Sequence, residues 1–470
     1  MLFVIETNNI AELKALIVSL QAEIQRLRAE NEELKTRLAQ NSNNSHQPPA
    51  SDGLAKRAIK PAFPNDNSKK QGGQPGHPGK TLLMTHTPDT VIEHRPTHCQ
   101  QCGQDLTRAT PTLLQRRQVF DLPQPRLYVE EHRQMTLLCA CGCVNTGPFP
   151  AFVTAPVQYG PRIQAQSILF NIDYKLPFAK VTQLWADLTG YAYNPATLTN
   201  AQTGLYEQLG PIEAQIKHQL QAAEVCHFDE TGLRVGGKLQ WLHVACTAFL
   251  TYLFVHPSRG QQALKATQSV FEGCPNWLVH DCWSSYFVAG KGRHALCGAH
   301  LLRELQGQID RGREWARVLH EYLLALYRAS RQGPMPANER RSWQQAYRQL
   351  CEQGIEEELP PLIFYNKAGK ALNKRPKQSS GRNLLDRLIA HEQAVLAFAF
   401  EEGVPFTNNE AERALRPAKI KQKVSGGFRT QAGAYTYARI TGFIATMRKQ
   451  EHNVVEQLAN VLRGHFQWTT

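Results

Sequence analysis

Hydrophobic spacing changes several times along this chain, and each change marks a new element. Near the start, Leu13, Leu20, Leu27 and Leu34 recur every seven residues, with Ile10, Ile17, Ile24, Asn31 and Leu38 between them. Ile at a with Leu at d favours two parallel strands of coiled coil, and a lone Asn at a costs stability but fixes register and the dimeric state. Glu23, Arg26, Glu30 and Lys35 keep the outer faces in water. A coiled coil is therefore expected over residues 8–40, joining a second copy of the chain. Residues 41–80 lose the period. Gly, Pro, Ser, Asn and Lys dominate NSNNSHQPPASDG and KKQGGQPGHPGK, which predicts a flexible basic linker.

Residues 81–150 hold Val119, Phe120, Leu122, Leu127, Tyr128 and Val129, which read as strands of a small β domain. A helical period returns over residues 155–222. Leu176–Leu188 is amphipathic, TGYAYN breaks it, and Asn194 as N-cap with Pro195 at N1 opens a second helix to Leu209. Helix, turn, helix is a DNA-binding arrangement, although the second helix carries few basic residues.

From Val225 the pattern becomes short apolar runs. VCHFDETG (Val225–Gly232), LQWLHVACTA (Leu239–Ala248) and LTYLFVH (Leu250–His256) read as three successive strands. Arg259–Phe271 reads as a crossover helix, Trp277–Asp281 as a fourth strand, Ser284–Val288 as a helix and His294–Leu296 as a short strand. Cys297 then leads a long helix. Antiparallel-type strands followed by a helix and a parallel strand are the order of a ribonuclease-H-like sheet. A helical insertion runs over about 304–402 and carries the basic loop Leu372–Asn383; the core ends near 450, leaving 451–470 as a tail. The expected fold class is multidomain α/β: coiled coil, small zinc-binding β domain, helix-turn-helix-like region (155–222), and a ribonuclease-H-like catalytic core (223–450) with a helical insertion.

The acids give the core a chemistry. Asp229 ends the first apolar run, Asp281 ends the fourth, and NNEAER (Asn408–Arg413) supplies a later helix with Glu410 and Glu412. Carboxylates from two strands and a helix suit two divalent cations at a scissile phosphate, Mg²⁺ or Mn²⁺ with oxygen ligands. Glu230 points to the other face of its strand. Glu410 and Glu412 lie roughly 200° apart round a helix, so only one can serve. The charge balance adds a partner: 53 basic against 40 acidic residues leave a net charge of +13, which favours a polyanion, either nucleic acid such as double-stranded DNA or an anionic membrane. Arg413, Arg416, Lys419, Lys421, Lys423 and Arg429 crowd the segment after the late glutamates, where they suit phosphate contacts.

Eleven cysteines cluster unevenly. Cys99 and Cys102 form CxxCG, and Cys139-Ala-Cys141-Gly-Cys143 follows. Two such knuckles predict a structural Zn²⁺ held by Cys99, Cys102, Cys139 and Cys141, with Cys143 as the alternative fourth ligand. No apolar run approaches the ~20 residues that span a bilayer, so no membrane is expected and a reducing cytoplasm is.

Taken together, NSNNSHQPPASDG, GGQPGHPG, CxxCG, FDETG, the CGAH–R run and NNEAERALRPAKIKQKVSGGFRT resemble the insertion-sequence-66 transposases, over about residues 10–450. The resemblance implies a DDE transposase of a bacterial mobile element, cleaving insertion-sequence ends and joining them to target DNA at the nucleoid. By position it implies the triad Asp229, Asp281 and Glu412. It also implies a homodimer or higher oligomer, because two ends must be paired, and accessory proteins of the element. Cys297 and His300 match a Cys-x-x-His run of related transposases, read here as orienting the active-site helix and not as a metal site. Two alternatives remain: a non-catalytic DNA-binding regulator of the same fold, and a ribonuclease-H-like nuclease that cuts without joining.

Overall fold

The computed structural model describes residues 82–358 and 378–468, with ten separate positions between Ile17 and Asn44. Seven of those ten, from Ile17 to Leu38, are heptad a and d positions; each is helical and exposed. The rest of the expected coiled coil, the 41–80 linker apart from Asn44, and residues 372–377 of the basic loop lie outside the described residues.

In the cysteine region, β1 (Thr136–Leu138) and β2 (Val144–Thr146) pair antiparallel around Cys139–Cys143. The strands expected across Val119–Val129 are not formed. Val119, Leu122 and Tyr128 are 90%, 85% and 86% exposed and no ladder partner lies beside them. Apolar, β-prone composition needs a partnered, half-buried face before it becomes a strand.

Four helices follow: α1 (Pro161–Ile172), α2 (Phe178–Thr189), α3 (Pro195–Gln208) and α4 (Gly210–Ala222). Asn194 caps α3 as the sequence predicts, its side chain accepting from the Ala196 N–H at 2.8 Å with Pro195 at the first turn.

The central sheet contains β3 (Val225–Val235), β4 (Lys238–Cys246), β5 (Thr251–His256), β6 (Trp277–His280) and β7 (Arg293–Leu296), in the order β5-β4-β3-β6-β7. The pairs β3/β4 and β4/β5 are antiparallel; β3/β6 and β6/β7 are parallel. Gly236 and Gly237, with φ of +55° and +78°, close the first hairpin in the two-residue turn that matches strand twist. The crossover before β6 differs from expectation. It holds only the short α5 (Gln261–Leu264) and a 3₁₀ turn at Phe271–Gly273. The Ser269 hydroxyl accepts from the Phe271 N–H at 3.1 Å, a local bond that competes with helix.

After β6 come α6 (Ser284–Ala289) and, beyond β7, a helical block: α7 (Gly298–Ile309), α8 (Glu314–Ser330), α9 (Ala337–Glu357), α10 (Ser380–Ala390) and α11 (Glu392–Phe400). It has its own core of Leu301, Leu305, Trp315, Leu323, Tyr347 and Leu385, and α11 covers the edge strand β7. The chain returns to the sheet through α12 (Asn409–Ser425), α13 (Gln431–Lys449) and α14 (Val454–Arg463). The stretch 451–470, expected as a tail, thus contains a helix. Val454, Leu458 and Val461 of α14 are buried at helical spacing, and the helix packs on α1 and α3.

One face of the sheet joins Leu233, Leu242 and Leu253 to Ile168, Leu205, Leu415, Tyr437 and Leu458. The other joins Cys226, Phe228 and Tyr252 to Leu220, Phe271 and Tyr286. Along β3 this is strict alternation: even positions face α4 and α6, odd positions face α12.

Candidate active site

Parallel pairing sets His227 opposite Val279. Continued by two residues, the register brings Asp229 level with Asp281 just beyond the end of β6, on strands about 4.8 Å apart. The Asp229 carboxylate accepts from the Glu230 N–H at 2.8 Å, and that of Asp281 from the Trp283 N–H at 3.1 Å. Alternation turns Asp229 toward α12 and Glu230 to the opposite side. There Glu230 is buried, accepting from Arg259 Nε at 2.7 Å and from the Tyr286 hydroxyl. Arg259 is itself held between the rings of Trp241 and Trp283, at 5.0 and 4.3 Å.

The late helix is tied to β3 by one residue. Asn408 stands at the N-cap of α12 but does not cap it. Its Nδ2 donates to the Phe228 carbonyl at 2.7 Å, and its Oδ1 accepts from His227 Nδ1 at 2.8 Å. Its backbone N–H donates to Cys297 Sγ at 3.2 Å. Asn408 is 1% exposed, so all these groups are bonded in the dry interior.

Glu412, in the first turn of α12, has Oε1 3.5 Å from Arg303 Nη2 and 3.7 Å from His300 Nδ1. Glu410 is engaged elsewhere, 3.4 Å from Lys449 Nζ and 3.5 Å from Arg413 Nη1. The electrostatics separate them in the same way. Burial, then the charges of Glu230, Asp281 and Glu412, push the Asp229 carboxyl well above the usual carboxylate range, against the Glu230 N–H. Burial and the charge of Asp281 raise Glu230, while Arg259 and Tyr286 oppose. Burial lowers Lys419, and the charge of Asp229 offsets part of that. Lys421 is also half-buried, whereas Arg413, Arg416, Lys423 and Arg429 are exposed. His280, expected near the acids, is fully buried; burial pushes it down to about 3, so it is neutral, with Nε2 2.8 Å from His294 Nδ1.

The cysteine knuckles form separately. Gly103 and Gly142 take φ of +73° and +87°, the left-handed turns that a residue with Cβ resists. The backbone N–H of Cys102, then that of Gln101, lowers the Cys99 thiol; the Cys143 N–H, then the Cys139 and Cys143 thiols, lower Cys141. Among the described residues, no three of Cys99, Cys102, Cys139, Cys141 and Cys143 have ligand atoms within 4.8 Å of one another; the group that does is Cys297, His300 and Glu412.

Asn408, Arg303 and Arg259 acquire no individual role from the sequence. The first two stand inside the NNEAER and CGAH–R runs, which was the available signal. Gly298 locks α7 to the segment before α12: its N–H donates to the Phe406 carbonyl at 2.8 Å, and a Cβ there would lie 2.3 Å from the Phe406 ring. Gly298→Ala is expected to destabilise by about 1–3 kcal/mol, as overpacking does. It should also displace His300 and Arg303 from Glu412. Urea melts check the destabilisation; an unchanged melt would contradict the close contact.

Among curated proteins none matches this chain. Residues 5–82 match a family of unknown function. Residues 156–436, more than half of the chain and the whole span from α1 to Asp229, Asp281 and Glu412, match the transposase IS66 family, to which this protein belongs.

Proposed function

We propose that the protein is a DDE transposase that cleaves the ends of its insertion sequence and joins them to target DNA. Asp229, Asp281 and Glu412 are its metal-holding acids, carried on a ribonuclease-H-like core at about residues 223–450. The observation that carries this reading is the level placement of Asp229 and Asp281 together with the charge of Glu412 felt at Asp229, although among the described residues the three carboxylates do not all lie within 4.8 Å of one another. Asp229 lies within β3 and Asp281 just beyond the end of the adjacent parallel β6, and the charge of the third reaches Asp229 from α12. Crowded, partly buried carboxylates repel one another, and a pair of Mg²⁺ or Mn²⁺ ions fits such an oxygen donor set. When bound, such ions neutralise phosphate charge and lower the pKa of the attacking water or 3′-hydroxyl.

The surrounding residues have distinct tasks. Asn408 fixes α12 against β3, and with it the position of Glu412. Arg303 and His300 steady the Glu412 carboxylate. Lys419, which feels the charge of Asp229, suits a DNA phosphate near the scissile bond. Lys421 lies beside it, and Arg413, Arg416, Lys423 and Arg429 extend the positive surface along the bound duplex. Residues 81–150 form a zinc domain with Cys99, Cys102, Cys139 and Cys141 as ligands. Residues 8–40 pair two copies, for which the exposed apolar heptad positions Ile17, Leu20, Ile24, Leu27 and Leu34 give support. Among the described residues no helix is long and apolar enough to cross a membrane, and the DNA of a cytoplasmic nucleoid is the proposed place of action.

The test is cleavage and joining of DNA bearing the element's own ends, with purified protein and Mg²⁺. Glu412→Gln is expected to lose about 10³-fold or more, equivalent to about 4 kcal/mol of barrier. Glu410→Gln should stay within about tenfold, or about 1.4 kcal/mol. The reverse order would move the third acid to Glu410; cutting without joining by the wild type would make the protein a nuclease.

A further inference from the structure

The Cys-x-x-His run that the sequence reading treated as an orienting device has a third member that no local pattern reveals. The ligand atoms of Cys297, His300 and Glu412 all lie within 4.8 Å of one another. Cys297 occupies the N-cap of α7 and His300 its first turn, so the i,i+3 spacing puts both side chains over one end of the helix. Glu412 arrives from the first turn of α12. The carboxylate Oε1 and His300 Nδ1 are 3.7 Å apart, close to the ligand–ligand edge of a tetrahedral site with bonds of about 2.0–2.2 Å.

We infer that Cys297, His300 and Glu412 form a binding site for a soft divalent cation of the Zn²⁺ class, and that filling it takes Glu412 away from the catalytic acids. The second half rests on the assignment of Glu412 as third acid. One sulfur, one imidazole nitrogen and one carboxylate oxygen select zinc over Mg²⁺, which takes oxygen ligands and keeps its waters. Three protein ligands leave the fourth position to water. The Asn408 backbone N–H donates to Cys297 Sγ at 3.2 Å and orients the sulfur, while burial pushes the thiol up to about 11. Arg303 lies 3.5 Å from Glu412 Oε1, a charge neighbour and not a competing ligand. On binding, the Zn–S bond forms and the Cys297 proton leaves to water, so affinity rises with pH. Zinc then acts as a brake on a magnesium enzyme at the one carboxylate that the two sites share.

The experiment uses the full chain, dialysed against micromolar ZnCl₂ and assayed for zinc per chain. Wild type is compared with Cys297→Ser and with His300→Gln, the second a half-buried position used if the buried serine variant fails to fold, and each is scored against its own zinc-free rate. Each folded variant should hold one zinc fewer than wild type, the knuckle cysteines being common to all. In parallel, ZnCl₂ is titrated into the Mg²⁺-supported cleavage reaction, and the concentration giving half inhibition should rise at least tenfold in His300→Gln. Equal zinc content in wild type and folded His300→Gln would overturn the site. A lost zinc with unchanged inhibition would overturn the brake. Wild-type protein inactive in Mg²⁺ alone would instead count against the proposed transposase chemistry and leave the zinc count standing.

Discussion

Asp229→Asn is expected to abolish cleavage and, at the same time, to raise the melting temperature of the metal-free protein near pH 8. The activity loss follows from removing a carboxylate of the proposed triad, and about 10³-fold or more corresponds to about 4 kcal/mol of barrier. The stability gain follows from linkage. Burial and the charges of Glu230, Asp281 and Glu412 hold the folded-state pKa of Asp229 above the unfolded value of about 3.9. A group raised in this way contributes its full stability below the unfolded pKa and loses it as pH rises through the folded pKa. As pH rises through the folded pKa the wild type takes on a charged, crowded carboxylate, and the amide does not. The difference should shrink toward pH 4, with each kcal/mol moving the melt by about 2–4 °C. Mg²⁺ should then stabilise wild type more than the variant, because a ligand stabilises the form that binds it. Melts at pH 4 and 8, with and without Mg²⁺, test all three statements. A variant that melts lower at pH 8 would show that the acids are not in electrostatic conflict.

Asn408→Ala should be the most damaging change outside the acids. The alanine leaves the His227 Nδ1–H and the Phe228 carbonyl unpaired in the interior, where each orphaned group costs about 1–3 kcal/mol. A loss of about 2–5 kcal/mol in chemical denaturation is expected. Cleavage should fall further than the unfolded fraction explains, because α12 then carries Glu412 on a loosened joint. Asn408→Asp gives the companion result. It restores an acceptor for His227 but offers no donor to Phe228, so it should sit between alanine and wild type in stability. If alanine and wild type melted together, the link from β3 to α12 would be carried by packing alone.

Much of the central sheet was legible because central strands buried on both faces are written as continuous apolar runs; Asp281 does follow the end of β6, but β3 runs on past Asp229 to Val235. Alternation along Val225–Val235 separated Asp229 from Glu230 before any contact was known. Elsewhere the signal was absent or masked. The apolar residues of Val119–Val129 have no ladder partner, which composition cannot report. The crossover after Arg259 is broken by local side-chain bonds such as that of Ser269. The 3.6-residue spacing of Val454, Leu458 and Val461 was present and marks α14, the element hidden in the supposed tail. Asn408 was concealed by being a favoured N-cap, a role that would explain the residue without the contacts it makes. Cys297 and His300 are neighbours in sequence, but their third partner lies more than a hundred residues further on, where only the fold could supply it.

The packing of α14 against α1 sets an order of events during synthesis. Asp229 and Asp281 leave the ribosome on strands that can pair early, but Glu412 follows 131 residues after Asp281 (412 − 281). At about 5–20 residues per second that is an interval of roughly 7–26 s in which a nascent chain holds two of the three proposed acids. The core beneath the sheet closes only when α13 and α14 arrive to cover α1 and α3. A growing chain thus lacks the proposed third acid until α12 emerges, and a chain cut short before α14 has an open core.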